Sequence, residues 1–225
     1  MKKIALITLV LFLPVFFYII LVKLGENRFF FPPFYGSKTV RDTTIYGQKK
    51  TDTIYYQVKV NIEGIDINTD SIISTSKFKE DIVIYHFINS DDSIYLNRSC
   101  TMMKEWVQNR LNEYNDIKYI TIASKPNKDS KNYIKNLYNR INPDPKFWTF
   151  LYTDSASVSH FSKALLLDFN KKEDFNKVVL VDKDQSIRAM YTGDDVNSVK
   201  KLLPDDARAV KGYYNLELKK NNKHK

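Results

Sequence analysis

The feature that most constrains this chain lies near its start. Residues 4–22 form a run of 19 with no charged side chain. As a helix rising 1.5 Å per residue, the run reaches about 28 Å, close to the thickness of a bilayer's hydrocarbon layer. A helix also satisfies its own backbone groups where no water can. Pro14 kinks such a helix without excluding it. Lys2 and Lys3 stand before the run, and the tail ahead of it is three residues long, as in the n-region of an export signal. Lys23 and Arg28 follow it and weaken the charge asymmetry, so the orientation rests on the short tail. The run lacks a small-x-small cleavage site, and no cysteine closes it. The expectation is an uncleaved single-pass anchor in the cell membrane, with the rest of the chain on the periplasmic side.

The sequence divides into an anchor (1–25), a linker and edge strand (26–50), one domain (51–205) and a basic tail (206–225). Of the 225 residues, 43% are hydrophobic and 14% aromatic, so a chain of this size can bury a core. The formal charge is +9. Acidic residues such as Asp91, Asp92, Asp205 and Asp206 are interleaved with the basic ones, and only Lys219 to Lys225 is a plain basic run. No nucleic-acid-binding motif accompanies the charge, and nucleic acid is not an expected partner. With 6 glycines the chain is a poor candidate for a Gly-rich phosphate loop. No Ser-His-Asp, zinc or P-loop pattern occurs, and no small-molecule substrate suggests itself.

Residues 26–37 read as the linker. They hold Pro32, Pro33 and the aromatics Phe29, Phe30, Phe31, Phe34 and Tyr35, placed to sit at a membrane interface or to pack on the domain. Segments 43–46 and 53–62, rich in Thr, Ile, Tyr and Val, predict strands of a hairpin or an edge. Residues 82–88 are continuously apolar and β-branched, as in a strand covered on both faces. A polar loop follows over 89–99. Residues 100–114 carry Met103, Trp106, Val107, Leu111 and Tyr114 at helical spacing. The spacing then predicts a strand at 119–123 and a helix over 131–141 stopped by Pro143 and Pro145. An extended stretch follows at 147–152, then a helix over 155–167 with Ser155 as a possible cap. Strands at 178–181 and 187–191 are joined by a turn at Asp182–Gln185. A last helix over 195–203 ends before Pro204. Helices alternating with buried strands place the chain in the α/β class, in the order of a thioredoxin-like domain: a central mixed sheet flanked by helices.

Four stretches resemble the Sco/SenC family of membrane-tethered, thioredoxin-fold copper chaperones. Lys77-Phe78-Lys79-Glu80-Asp81-Ile82-Val83-Ile84 is similar to the family's approach to its central strand. Cys100-Thr101-Met102-Met103 is similar to its Cys-Pro-x-Met. The run from Asn142-Pro143-Asp144-Pro145 through Trp148, Phe150 and Leu151 to Asp154 is similar to its Asp-Pro-x-x-Trp-x-Phe-Leu-Thr-Gly-Asp. Val179-Leu180-Val181-Asp182-Lys183-Asp184-Gln185-Ser186-Ile187-Arg188 is similar to its Leu-Val-Asp-x-x-Gly-x-Ile-Arg strand pair. The resemblance implies three copper ligands: two thiols four apart at the start of the first helix and a histidine before the late hairpin. Soft thiolates with an imidazole suit copper, and a helix N-terminus lowers a thiol pKa. Cys100 matches the second thiol. Leu96 stands at the first, and Asp174 takes the histidine's place.

Two of the three implied ligands are therefore absent. Cys100 is the only cysteine, so no disulfide can close within these residues. A remodelled copper site built from Cys100, Met103 and His86 is one expectation. The other is that all three are structural: Cys100 a relic, Met103 packing, and His86 a satisfied core histidine sharing its strand face with Ile84 and Ile88. His160 reads as surface. Asp91 and Asp92 read as a solvated loop rather than a hard-cation site. The expected role is that of a non-enzyme: a protein-interaction role in respiratory-complex assembly or copper handling, with no cofactor assigned. The alternatives are a copper metallochaperone centred on Cys100 and a single-cysteine thiol peroxidase. The peroxidase requires a depressed thiol pKa, toward which Arg98 and Lys104 are placed to contribute.

Overall fold

The computed structural model describes residues 12–14, 16, 33–45, 48–88, 93–124, 130–169, 174 and 177–223. The chain divides into two units, residues 1–30 and 31–225. Of the first, residues 12–14 and 16 are helical. The rest of the expected anchor, like Asp91 and Asp92, lies outside the described residues. Among the described residues no helix is long and apolar enough to cross a membrane.

In the second unit, β1 (Lys38–Ile45) and β2 (Gln48–Tyr55) pair antiparallel as a sheet of their own. The hairpin foreseen from Thr, Ile and Tyr content is present but starts and ends earlier. The remaining strands are β3 (Glu63–Asp66), β4 (Ile72–Ser74), β5 (Ile82–Ile88), β6 (Ile117–Ser124), β7 (Trp148–Thr153), β8 (Lys177–Val181) and β9 (Ile187–Thr192). They form one mixed sheet in the order β4-β3-β7-β6-β5-β8-β9. β5, β6 and β7 run parallel; β3 pairs antiparallel with β7 and β4 with β3, while β8 pairs antiparallel with β5 and β9 with β8.

Every residue of β5 is buried. Because strand side chains alternate, Ile82, Ile84 and Ile88 enter one hydrophobic cluster while Val83, Tyr85 and Phe87 enter the other. This two-sided burial is why the segment reads as an unbroken apolar run.

Among the described residues, four helices cover the sheet. The first, α1, begins with Ser93–Met102, passes through a π-helical turn at Met103–Gln108 and ends with Asn109–Leu111. Its start is the first correction to the sequence reading, which placed it at Cys100. Leu96, Cys100, Met103, Val107 and Leu111 are buried along α1 and belong to one cluster. Leu96, the last residue of the run Ile94-Tyr95-Leu96 within the stretch read as a polar loop, begins that stripe. Next come α2 (Ser130–Ile141) and α3 (Ser155–Ala164). Asp154, not Ser155, caps α3: its carboxylate accepts from Ser157 N–H at 2.8 Å.

The second correction concerns Pro204, which does not end the last helix. A π-helical turn (Ser198–Leu202) leads into α4 (Leu203–Lys223). Proline has no N–H for the carbonyl four residues back. That carbonyl, Lys200 O, instead accepts from Arg110 Nη1 at 2.6 Å. Beyond the proline, Ala207 and Val210 are fully buried in the α1 cluster.

The turn between β8 and β9 is organised by a buried carboxylate. Asp182 Oδ1 accepts from the N–H groups of Asp184 (3.0 Å) and Ser186 (2.9 Å), and Oδ2 accepts from Arg188 Nη1 (3.1 Å). Gln185 adopts φ +62°, at the position where the resembled motif has glycine. On the far side of Arg188 the Phe34 ring lies 3.9 Å from the guanidinium and stacks on Tyr55 at 3.7 Å. Tyr35 N–H donates to Ile187 O at 3.0 Å. Of the two readings of the linker aromatics, packing on the domain holds for Phe34.

Two glycines test this packing. A Cβ on Gly64 stands 2.7 Å from Tyr152 O, a backbone atom of the neighbouring strand, whereas one on Gly212 meets nothing within 4 Å. Gly64→Ala is expected to destabilise the domain by about 1–3 kcal/mol. Gly212→Ala is expected to stabilise it by up to about 1 kcal/mol. Denaturant unfolding of the two variants measures both.

Candidate functional site

The residues singled out by sequence gather where β5 faces α1. Cys100 is fully buried, and so is Leu96 one turn before it. Because α1 begins at Ser93, Cys100 lies about two turns inside the helix. The unpaired N–H groups of a helix start, which stabilise a thiolate, are therefore not at the sulfur. Burial pushes the thiol up to about 12, with Arg140 opposing only in part. Burial thus moves the thiol in the opposite direction from the depression that a peroxidase requires, and the earlier helix start removes the N–H groups that would oppose it. Lys104, expected to act on the thiol, is engaged elsewhere: its ammonium donates to Ile141 O and to Asn142 O at the end of α2. Arg98 is exposed. Met103 is buried in the same cluster as Cys100.

His86 is completely buried on the α1 side of β5. Its Nδ1 is 2.8 Å from Tyr119 Oη, and its Nε2 is 3.1 Å from Ser99 Oγ. Ser99 donates its single hydroxyl proton to Gly193 O at 3.2 Å. Ser99 Oγ can then only accept from the imidazole, so the proton of neutral His86 sits on Nε2. Nδ1 is left as the acceptor and takes the Tyr119 proton. Both ring nitrogens are committed, and in this arrangement the ring offers no free lone pair. Burial lowers its pKa to about 3. The reading of His86 as a satisfied core histidine agrees with this geometry.

The remaining candidates are dispersed. His160 is exposed, as expected. Asp174, at the position of the implied histidine, accepts from Asp168 N–H at 2.8 Å. Among the described residues no group of three or more His, Cys, Asp or Glu is placed to hold a metal ion. Sequence reasoning missed Ser99 and Tyr119 as the partners of His86. The available signal was a histidine in an otherwise apolar strand, which requires two polar partners from elsewhere. It also missed an open cleft of about 570 Å³ between α1 and α2, lined by Asn97, Thr101, Lys104, Glu105, Asn109, Arg140 and Ile141. The two cations in that cleft are already engaged. Lys104 holds the carbonyls at the end of α2, and Arg140 bonds Asn97.

Two outcomes follow. Unfolded His86 takes up a proton near its ordinary value of 6.5, whereas the folded chain resists until about pH 3. Protonation therefore favours the unfolded chain across that window. Stability should fall as pH drops below 6.5, by about 1.4 kcal/mol per pH unit, and should be insensitive to His86 above it. Denaturant titrations between pH 6.5 and 5 should show this slope, and His86→Gln should remove it. For Cys100, a pKa near 12 rather than 9.0 leaves about a thousandfold less thiolate at neutral pH. Alkylation in native buffer should be slower than in denaturant by at least that factor.

No protein-family model matches this chain, and no curated protein does. Solved structures do. A SCO1/SenC family lipoprotein from Bacillus anthracis str. Ames matches with a TM-score of 0.56 at 14% identity, over 69% of this chain and 95% of its own. BsSco, described as a member of the Sco family of cytochrome c oxidase assembly proteins, matches with a TM-score of 0.55 at 18% identity, over 69% and 94%. With the mixed sheet, its flanking helices and the late β8–β9 hairpin already established, the likeness identifies the fold of this chain as the thioredoxin-like, Sco/SenC-like one.

Proposed function

We propose that this chain is a degenerate Sco/SenC-like protein that acts by binding another protein, without the copper and thiol–disulfide chemistry that the resemblance implies. Residues 4–22 anchor it in the cell membrane, and the thioredoxin-like domain faces the periplasm. The observation that carries this reading is the state of the three implied ligand positions. Leu96 is a buried apolar side chain, Cys100 is a sealed thiol held protonated, and Asp174 is a carboxylate bonded to its own loop.

A copper site needs soft donors that can lose a proton and present a lone pair to the metal. The donor set here does not fit. One thiol is present, its ionised form is strongly disfavoured, and His86 has both nitrogens engaged. Met103 could add a thioether only from within the packed core. The same facts argue against the remodelled chaperone and against an enzyme working through Cys100. A partner from cytochrome oxidase assembly or copper handling is the natural candidate, because BsSco is described as belonging to a family of oxidase assembly proteins.

The test is a competitive Cu(I) titration of the full chain in mild detergent under reducing conditions, with Cys100→Ser in parallel. The expected result is that neither protein holds stoichiometric copper against the chelator. One tightly held copper per wild-type chain, lost in the variant, would overturn the proposal in favour of a chaperone rebuilt around Cys100.

A further inference from the structure

The β1–β2 hairpin is out of keeping with the rest of the fold. Its strands pair only with each other, and no third strand or sheet continues them among the described residues. A two-stranded ribbon is marginal in water unless more strands or a packed face support it. Proteins usually blunt such an edge by shortening it, placing proline or charged side chains in it, or breaking it with a bulge. Of these, β1 carries only the charges Lys38, Arg41 and Asp42. It runs eight residues, Lys-Thr-Val-Arg-Asp-Thr-Thr-Ile, in unbroken register with β2. Residues 38–42 are all exposed, and Val40 is 60% exposed.

The charges on β1 select what can pair with its open edge. Consider a second copy of the chain laid antiparallel along β1, with a two-fold axis perpendicular to the sheet between the two strands. Side chains stay on their own faces only if each residue meets one of the same parity. Centring the axis on Arg41 sets Arg41 against Arg41 of the second copy, and centring it on Asp42 sets Asp42 against Asp42. Like charges directly opposite destabilise a strand pair. Centring it on Thr39 or Thr43 sets no charge against another, whereas centring it on Val40 avoids like charges and pairs opposite ones. Val40 then covers Val40, Thr39 meets Arg41, and Lys38 stands opposite Asp42 on both sides of the axis. Asp42 is held for this role by Thr51, whose hydroxyl donates to Oδ1 at 3.0 Å.

We infer that the open edge of β1 is a self-association surface. Two copies of this chain join their hairpins into a four-stranded antiparallel sheet centred on Val40. The occupant is a second copy because the edge is self-complementary in charge in that register. A shared membrane, if the anchor spans one, would raise the local concentration of copies and favour weak pairing.

The test uses the full chain in mild detergent. Directly opposite residues of antiparallel strands lie about 4.5–5.5 Å apart between Cα atoms, within the range a disulfide spans. Under mild oxidation with diamide, Val40→Cys should form a disulfide-linked dimer at least ten times faster than Ile54→Cys. Ile54 is also exposed but lies on β2. Native Cys100, being sealed, should give no dimer by itself. Adding Lys38→Asp to Val40→Cys should slow linkage at least fivefold by setting acid against acid. Adding Asp42→Lys as well should restore it, an outcome that hairpin damage alone does not produce. Equal rates for the two cysteine variants, or a double charge swap no faster than the single one, would overturn the inference.

Discussion

Ser99 has one hydroxyl proton, and its destination sets the state of the whole centre. Given to Gly193 O, it obliges His86 to donate through Nε2 and to accept from Tyr119 through Nδ1. One direction of donation thus runs from β6 through β5 to α1 and on to the turn after β9. Each of these elements packs on the others through apolar residues, but apolar contact is non-directional. The polar chain supplies the direction, and leaving any member without its partner costs about 1–3 kcal/mol in a buried site. It also holds α1 by Ser99, the residue next to Cys100. The orientation of the cysteine therefore depends on a network in which the thiol takes no part.

That dependence explains which features were legible in the sequence. β5 was legible because both its faces are buried. The middle of α1 was legible because Met103, Val107 and Leu111 repeat at helical spacing. The β8–β9 turn was legible because Asp182 and its neighbours have turn chemistry. The start of α1 was not, since Ile94, Tyr95 and Leu96 stand in a row between Asp91-Asp92-Ser93 and Asn97-Arg98-Ser99, without helical spacing, and the rest of the stripe begins four residues later. The error in the helix start carried over into the chemistry. A cysteine at a helix start is activated, whereas the same cysteine two turns inside and fully buried is suppressed. Pro204 misled for a related reason. The rule that proline ends a helix assumes that the orphaned carbonyl finds no other donor, and Arg110, 90 positions away, is that donor. Asp154 as the cap of α3 was within reach of the sequence, since aspartate is as good a cap as serine. The choice between neighbours needed backbone geometry.

The linker shows the same division. Phe34 reads equally as an interfacial aromatic and as a packing one. Its actual role depends on Arg188, which pairs with Asp182 on one side and meets the Phe34 ring on the other. An arginine with 3% of its side chain exposed has given up its hydration. A carboxylate and an aromatic face are the two environments that replace hydration for a guanidinium. Phe34 is thereby fixed to the sheet, and through its stack on Tyr55 it positions the base of the β1–β2 hairpin.

The fate of the implied ligand positions follows from the same physics. Leu96 and Cys100 share the face of α1 that closes over the sheet, and a leucine fully buried there contributes about 1.5–3 kcal/mol to folding. A thiol in place of Leu96 would bury less apolar surface, and a metal between the two would require both sulfurs to ionise in the least polar part of the domain. Access and sealing are opposed demands on the same helical face. The structure resolves them toward sealing: Leu96 and Cys100 are at 0% exposure, and the nearby histidine is neutral and fully bonded. A face closed in this way is part of the core. Among the described residues, the β1–β2 hairpin held beneath Phe34 is the strand element that stands outside the main sheet, and the sealed face of α1 takes no part in it.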